Sequence, residues 1–123
     1  MGINVRRAGT VAIVQAERRL VVENREQLKT AVVEELEAGR TGVVIDFGET
    51  DLIDSGGLGV LVTLYRYAED QGASLVLAEL SPELHELLRL TKLDSILEIA
   101  GTVEEALRVR APEAATPVEE QTV

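Results

Sequence analysis

The chain has 123 residues and a formal net charge of −10, because 22 Asp and Glu residues outnumber 12 Lys and Arg residues. This length suits one domain of roughly 100–150 residues, and its content of 46% hydrophobic and 28% charged residues is typical of a globular protein. The acidic balance argues against nucleic acid or an anionic membrane surface as a partner, since both are bound mainly through Lys and Arg.

The residue types that the chain lacks exclude several kinds of chemistry. No cysteine is present, so disulfides, a thiolate nucleophile and cysteine zinc sites are excluded. The single histidine, His85, excludes a multi-histidine metal site and leaves little for Ser-His-Asp catalysis. No apolar run approaches the roughly 18 residues of a membrane span, and the N-terminus has no signal-peptide pattern. We therefore expect no metal, no cofactor, no membrane insertion and a cytoplasmic location.

The first predicted elements are a β-hairpin and a helix. Two short β-like runs, at 3–5 and 11–14, are separated by Gly9, a residue favoured in tight turns. Asn24 can cap the following helix, and Gly39 is a plausible stop. The apolar positions of this helix recur at i, i+4 and i+8: Leu28, Val32 and Leu36.

Two buried strands and the helix between them make up the middle of the chain. Residues 42–47 form a continuous β-branched run, as in a strand buried on both faces, and residues 74–78 repeat this pattern. The helix between them ends near Gly72. Its apolar residues fall at helical spacing: Leu58, Leu61, Val62, Tyr65 and Ala68.

The last elements are a helix, a short strand and another helix. Ser81 caps the first of these helices, and Pro82 occupies its first position, where proline is tolerated. A short strand over 96–99 and a helix from Thr102 follow.

Apolar periodicity stops at residue 111. Two prolines and a Glu-rich stretch predict a flexible acidic tail over 111–123, with a solubilising role. Residues 1–110 then form one α/β domain, whose sheet is mixed because a hairpin precedes alternating strands and helices.

The segment most informative about function follows the strand that ends at Phe47. A small polar cluster there begins a helix with Ser55 at or just before its N-terminus, where free N–H groups and the helix dipole favour an anion. Glycines 56, 57 and 59 carry no side chain, so another molecule's backbone could approach Ser55 closely. Three acidic residues lie near this serine: Glu49, Asp51 and Asp54.

Several interpretations of this segment are open from the residues alone. Asp54 or Ser55 could simply cap the helix, with the glycines allowing close packing. A phosphate cradle or a serine nucleophile is disfavoured, because the P-loop lysine and the G-x-S-x-G motif are absent and His85 lies on a separate, surface-like helix. The remaining interpretation is a serine that another protein modifies.

The sequence Asp-Ser-Gly-Gly-Leu-Gly-Val-Leu at 54–61, after the strand at 43–47, resembles the anti-sigma factor antagonists of the STAS family. Residues 84–93, 96–99 and 104–107 extend the resemblance, which spans most of the chain. It implies the STAS fold, a mixed sheet of four to five strands packed against about four helices.

The resemblance also implies a regulatory switch instead of an enzyme. The unmodified antagonist binds an anti-sigma factor that is a serine kinase, and so frees a sigma factor. The kinase phosphorylates the serine directly after the aspartate, here Ser55, and a PP2C-type phosphatase restores it. Asp46, which closes a buried strand, would support the loop by accepting its hydrogen bonds. The expected partner-binding residues are Asp51, Asp54, Ser55, Gly56, Gly57 and Leu58.

Two side-chain roles stay open at this point. Asp54 could orient the Ser55 hydroxyl or cap the helix. Periodicity favours the core over a contact surface for Leu58 and Val62.

Two departures from the family pattern keep an alternative function open. Gly56 stands where members usually carry a second serine or threonine, and residues 18–21 read Arg-Arg-Leu-Val instead of Gly-Glu-Leu-Asp. Arg18 and Arg19 could mark a docking edge, although a solvated loop is favoured. The alternative is a non-catalytic STAS subunit of a larger assembly, such as a stress-signalling scaffold or a lipid-transport complex.

Overall fold

A computed structural model of the protein describes residues 3–110 and 119–122. The strands, in chain order, are β1 (Asn4–Ala8), β2 (Val11–Gln15), β3 (Arg19–Leu20), β4 (Gly42–Asp46), β5 (Leu52–Ile53), β6 (Ser74–Ala78), β7 (Glu98–Ile99) and β8 (Glu119–Thr122). The α-helices are α1 (Arg25–Glu37), α2 (Ser55–Asp70), α3 (Pro82–Leu90) and α4 (Val103–Arg110), and a 3₁₀ turn covers Leu93–Ser95.

The main sheet has the order β7-β6-β4-β2-β1-β8. Its first four strands in this order are mutually parallel, and β1 pairs antiparallel with both β2 and β8. The predicted mixed sheet with four helices is therefore confirmed, with β8 as an additional strand. Because β2, β4 and β6 are parallel, their carboxyl ends share one edge of the sheet, and the loops that leave this edge lie side by side.

Helices cover both faces of the sheet, which explains the continuous apolar runs in β4 and β6. Val43 and Ile45 pack in a core with residues of α1, α2 and α3. Val44, which points to the opposite face, packs with Ala106 of α4. Alternate residues of a strand face opposite sides of a sheet, so a strand covered on both sides needs apolar residues throughout.

The predicted hairpin is confirmed, but the role of Asn24 differs from the prediction. Gly9 takes the left-handed conformation (φ +62°) that the turn between β1 and β2 requires. Asn24 directly precedes α1 without capping it. Its Oδ1 instead accepts a hydrogen bond from Val21 N at 3.0 Å, and its Nδ2 donates to the Arg19 carbonyl oxygen at 2.7 Å. Asn24 thus closes the turn between β3 and α1.

The face that α2 buries is rotated from the predicted one. Val60 and Leu64 are buried in the core, whereas Leu58 packs only partly against it and Val62 is half-buried. The prediction of Leu58 and Val62 as core residues is therefore only partly correct. Glycines at 57 and 59 obscure the helical period at the start of α2, since they contribute no apolar side chain.

The strand predicted over 96–99 is shorter in the structure. Lys92 is left-handed (φ 63°) and leads into the 3₁₀ turn, and Ile96 still has helical backbone angles with 46% of its surface exposed. Within the predicted range 96–99, only Glu98–Ile99 pairs with β6. The strand was predicted from apolar composition alone. The 3₁₀ turn that precedes it has no apolar periodicity, so the sequence did not indicate that the strand begins later.

Residues 119–122 contradict the prediction of a flexible tail for that part of the chain. They form β8, which pairs antiparallel with β1 from Asn4 opposite Thr122 to Arg7 opposite Glu119. Without β8, the outer edge of β1 would leave backbone N–H and C=O groups without strand partners. A Glu-rich segment lacks the apolar alternation that indicates a strand, so its pairing was not predictable from composition. The other residues of the predicted tail lie outside the described residues.

Candidate functional site

Ser55 is the first residue of α2 and is exposed at the edge where β4 ends. Asp46, the last residue of β4, accepts a hydrogen bond at Oδ1 from Gly48 N at 2.8 Å, and its Oδ2 lies 3.4 Å from Arg6 Nη2. Phe47 is fully buried, and its N–H donates to the Ala78 carbonyl oxygen at 3.0 Å. The expected hydrogen bond from the loop to Asp46 is therefore present, and the start of the loop is held against the sheet.

A second set of contacts ties the rest of this loop to the segment after β2. Thr50 is buried and donates through Oγ1 to the Glu17 carbonyl oxygen at 2.7 Å. Asp51 N donates to the Arg18 carbonyl oxygen at 2.8 Å, and β5 then pairs in parallel with β3. The loop before Ser55 is thus hydrogen-bonded to the sheet at its start and to the segment after β2 at its end. These contacts fix the position of Ser55.

Asp54 caps α2, which decides between its two open roles. Its Oδ1 accepts from Gly57 N at 2.8 Å, and its Oδ2 accepts from Val22 N at 3.1 Å. These N–H donors, Gly57 first, hold the pKa of Asp54 below its ordinary value, because they stabilise the carboxylate form. Both carboxylate oxygens thus bind backbone groups, so Asp54 acts as a cap and joins α2 to the turn before α1.

Gly57 is required for a close approach inside the chain. A Cβ at this position would collide with the Leu20 carbonyl oxygen and lie 2.9 Å from Ile53 Cγ2. Gly57 is buried by this packing, so the absence of its side chain serves a contact within the chain, and its role in partner binding stays a prediction. Gly59, by contrast, is exposed, and a Cβ there would meet nothing within 4 Å.

Gly56 lies between these extremes. A Cβ there would be 3.0 Å from Val22 Cβ and 3.2 Å from Arg25 Nη1, both tighter than ordinary contact. Val22 and Arg25 therefore occupy the space beside the position where the family usually carries a second hydroxyl residue.

We expect Gly57→Ala to lower the free energy of unfolding by about 2 kcal/mol, because the added methyl group overpacks a site bounded by backbone. Gly59→Ala is the matched control on the same helix, and it should raise stability by roughly 0.5–1 kcal/mol through helix propensity. Urea denaturation of both variants measures the difference. Equal stability of the two variants would contradict the close approach at Gly57.

The charges around Ser55 are of both signs. Asp51 is exposed, as expected of a surface residue, but Arg18 Nε donates to its Oδ2 at 2.9 Å. Arg18 is exposed as well, and Arg19 begins β3, so the segment predicted as a solvated loop is in part a strand. Arg25 Nη1 lies 3.4 Å from the Gly56 carbonyl oxygen. The acidic surroundings of Ser55 are thus partly balanced by two arginines.

Two exposed apolar residues flank this serine, and neither was predicted as a site residue. Val22 is 51% exposed on the turn that Asp54 binds, and Leu52 is 41% exposed on β5. Exposed apolar groups beside a polar cluster are typical of protein interaction sites. Each is a lone apolar residue in a segment too short to show apolar periodicity, so the sequence did not distinguish them as site residues. We call Val22, Leu52 and Ser55 with the Arg18–Asp51 pair the Ser55 face.

The described residues also bear on metals and membranes. Over residues 3–110, no three His, Asp or Glu side chains cluster closely enough to hold a metal ion. No helix in the described part of the chain is long and apolar enough to cross a bilayer. His85 is exposed on α3, whereas Ser55 begins α2.

Comparisons with known proteins agree with this architecture. The model of the STAS domain family matches residues 2–106. The chain is 32% identical over 83 residues to the "putative anti-sigma factor antagonist BtrV" of Bordetella bronchiseptica, which covers 68% of this chain and 72% of that protein. It is 30% identical over 98 residues to a protein of the same description from Thermotoga maritima, covering 79% and 87% of the two chains.

Solved structures show the same fold. A crystal structure of a "putative anti-sigma factor antagonist" from Thermotoga maritima matches with a TM-score of 0.75. The two chains are 28% identical, and the match covers 83% of this chain and 88% of that one. The unphosphorylated antagonist SpoIIAA matches with a TM-score of 0.72 at 19% identity over 88% and 96% of the two chains. Family model, sequence relatives and fold thus agree, and the chain belongs to the STAS domain family of anti-sigma factor antagonists.

Proposed function

We propose that the chain binds a serine-kinase anti-sigma factor through the Ser55 face and so frees a sigma factor. The observation that carries this proposal is the position of Ser55, which is exposed on the first turn of α2 and presented by a loop braced on both sides. Val22 and Leu52 supply apolar contact area beside it. A kinase can reach such a hydroxyl without unfolding any element of the domain.

Phosphorylation of Ser55 switches the antagonist off in this proposal. The Ser55 hydroxyl oxygen attacks the γ-phosphorus of ATP, the bond to the β-phosphate oxygen breaks, ADP leaves, and the hydroxyl proton passes to a base of the kinase. A PP2C-type phosphatase reverses the change, since water hydrolyses the phosphate ester to serine and inorganic phosphate. The chain itself contributes the acceptor and no catalytic group, so we assign it no enzymatic activity.

A phosphate at Ser55 is expected to release the kinase through charge and desolvation. It adds about −1.5 to −2 charge at pH 7 beside Asp51 and Asp54. The N-terminus of α2 tolerates a negative charge in the free protein. In the complex, however, the same charge is removed from water next to carboxylates and apolar groups, where it is unfavourable.

The test is incubation of the full chain with candidate serine-kinase anti-sigma factors and ATP, followed by mass spectrometric mapping of phosphate. We expect one phosphate at Ser55 and none in the Ser55→Ala variant. Ser81, whose Oγ accepts a hydrogen bond from Leu84 N at 3.2 Å as an α3 cap, serves as an internal negative site. A chain that stays unlabelled at Ser55 with every kinase would refute the switch.

Sigma factors act on RNA polymerase, so a protein with this role works in the cytoplasm. We assign partner binding to residues 1–110 and no binding role to the segment from 111 onward, of which residues 119–122 pair with β1. Gly56 and the Arg18–Asp51 pair favour a second candidate, a non-catalytic STAS subunit of a larger assembly. In that case the chain would bind its partner stably while Ser55 stays unmodified.

A further inference from the structure

Arg25 lies beside the proposed phosphorylation site, although it is 30 residues earlier in the chain. It is the first residue of α1, and its Nη1 is 3.4 Å from the carbonyl oxygen of Gly56, the residue after Ser55. The same nitrogen would lie 3.2 Å from a Cβ at Gly56. The guanidinium therefore lies over the first turn of α2.

The guanidinium of Arg25 makes long contacts with the groups around it, and its charge also acts on the Asp54 carboxylate. Its contact with the Gly56 oxygen is long for a hydrogen bond, and its Nε lies 3.9 Å from Glu26 Oε2. The side chain is 38% exposed. Arg18, the arginine of the Ser55 face, donates to Asp51 at 2.9 Å. Arg25 thus has N–H donors to spare, and Arg18 is already in an ion pair.

We propose that a phosphate on Ser55 is bound within the same chain by the guanidinium of Arg25. This inference rests on the proposed function, which supplies the phosphate, and deepens it by naming the group that receives the phosphate. Arginine binds phosphate oxygens through two parallel N–H groups, and the pair would form across the contact between α1 and α2. The modified residue is then held against its own domain.

The pairing has a consequence for the switch. A phosphate bound by Arg25 neutralises this cation beside the Ser55 face at the same time as it adds negative charge to that face. The carboxylates near the phosphate act in the opposite direction: Asp54 caps the helix beside it, and Glu26 follows Arg25 in α1. Asp51 is neutralised in part by Arg18. Removal of the Arg25 cation should therefore change the electrostatic environment of the phosphate.

The test uses the full chain with phosphoserine encoded directly at position 55, so no kinase is needed. Titration by phosphorus NMR gives the second pKa of the phosphate. We expect Arg25→Gln to raise this pKa by about half a unit relative to the wild-type chain, because the cation that stabilises the dianion is lost. Arg25→Lys, which keeps the charge without the planar fork, should give an intermediate value.

Lys29→Gln is the matched control, since it removes one positive charge one turn further along α1. It should leave the pKa of the phosphate unchanged. Identical phosphate pKa values in the wild-type and Arg25→Gln chains would overturn the inference. A phosphate pKa that rises in Arg18→Gln but not in Arg25→Gln would overturn it as well. Circular dichroism of each variant verifies the fold. Failure of the proposed function appears separately, as an unlabelled Ser55 in the kinase assay, whereas this titration does not depend on any kinase.

Discussion

Ser55→Asp is expected to weaken binding of the kinase anti-sigma factor about a hundredfold, a loss of about 3 kcal/mol. The introduced carboxylate lies on an exposed first turn, next to Asp54 and close to Asp51. In the free protein, water solvates it and the helix dipole favours it. In the complex it must lose that water beside like charges, and this difference between the two states weakens the binding.

Isothermal titration calorimetry of the variant with the kinase measures this loss. Ser55→Ala removes the phosphoacceptor without adding charge, so its affinity should stay within about threefold of the wild-type value. Ser95→Asp places the same charge on the exposed 3₁₀ turn before β7 and should have no effect. If Ser55→Asp bound as tightly as Ser55→Ala, the electrostatic mechanism would fail even if Ser55 were phosphorylated.

The second large effect concerns stability at the opposite edge of the sheet. Glu35 is a buried residue of α1 whose Oε2 accepts from Arg7 Nη2 at 2.7 Å. Its Oε1 accepts from Arg7 Nε and from Arg40 Nε, both at 3.0 Å. This cluster joins β1 to the end of α1. Glu35→Gln should lower the free energy of unfolding by about 3 kcal/mol at neutral pH, because two partly buried guanidinium groups lose their anionic partner.

The pH dependence of this effect has a definite sign. The hydrogen bonds from Arg7 are the largest cause that holds the pKa of Glu35 below its ordinary value of 4.5 in the folded chain. Its contribution to stability is therefore fully present above about pH 4.5 and is lost as the pH falls through the lowered native pKa. The stability difference between the wild-type chain and Glu35→Gln should shrink over that range.

Chemical denaturation at neutral and acidic pH tests both statements. Glu34→Gln is the matched control, since this neighbour on α1 is exposed, and it should change stability by less than about 0.5 kcal/mol. A difference for Glu35→Gln that stays constant down to acid pH would contradict the role of the carboxylate charge. Because the cluster lies far along the sheet from Ser55, phosphorylation of the folded variant should be unchanged.

Features coded by neighbouring residues were predictable before the fold was known. The hairpin at Gly9, the buried strands β4 and β6 and the cap at Ser81 each depend on a pattern within a few positions. The pair Asp54–Ser55 at a helix start belongs to the same class, because a cap acts over three residues. The charge of −10 likewise follows from composition, and it favours a protein partner over nucleic acid.

Features that join distant segments became visible only in the folded chain. The strands β3 and β5 have two residues each, so they carry no period, and their pairing places Leu20 against Gly57. β8 depends on an edge that β1 offers, and not on its own composition. Arg25 and Val22 reach the start of α2 across about 30 residues of chain. Local patterns together with the family resemblance therefore predicted Ser55 as the modified residue, while long-range packing set which groups surround it, because residues far apart in the sequence become neighbours only in the folded chain.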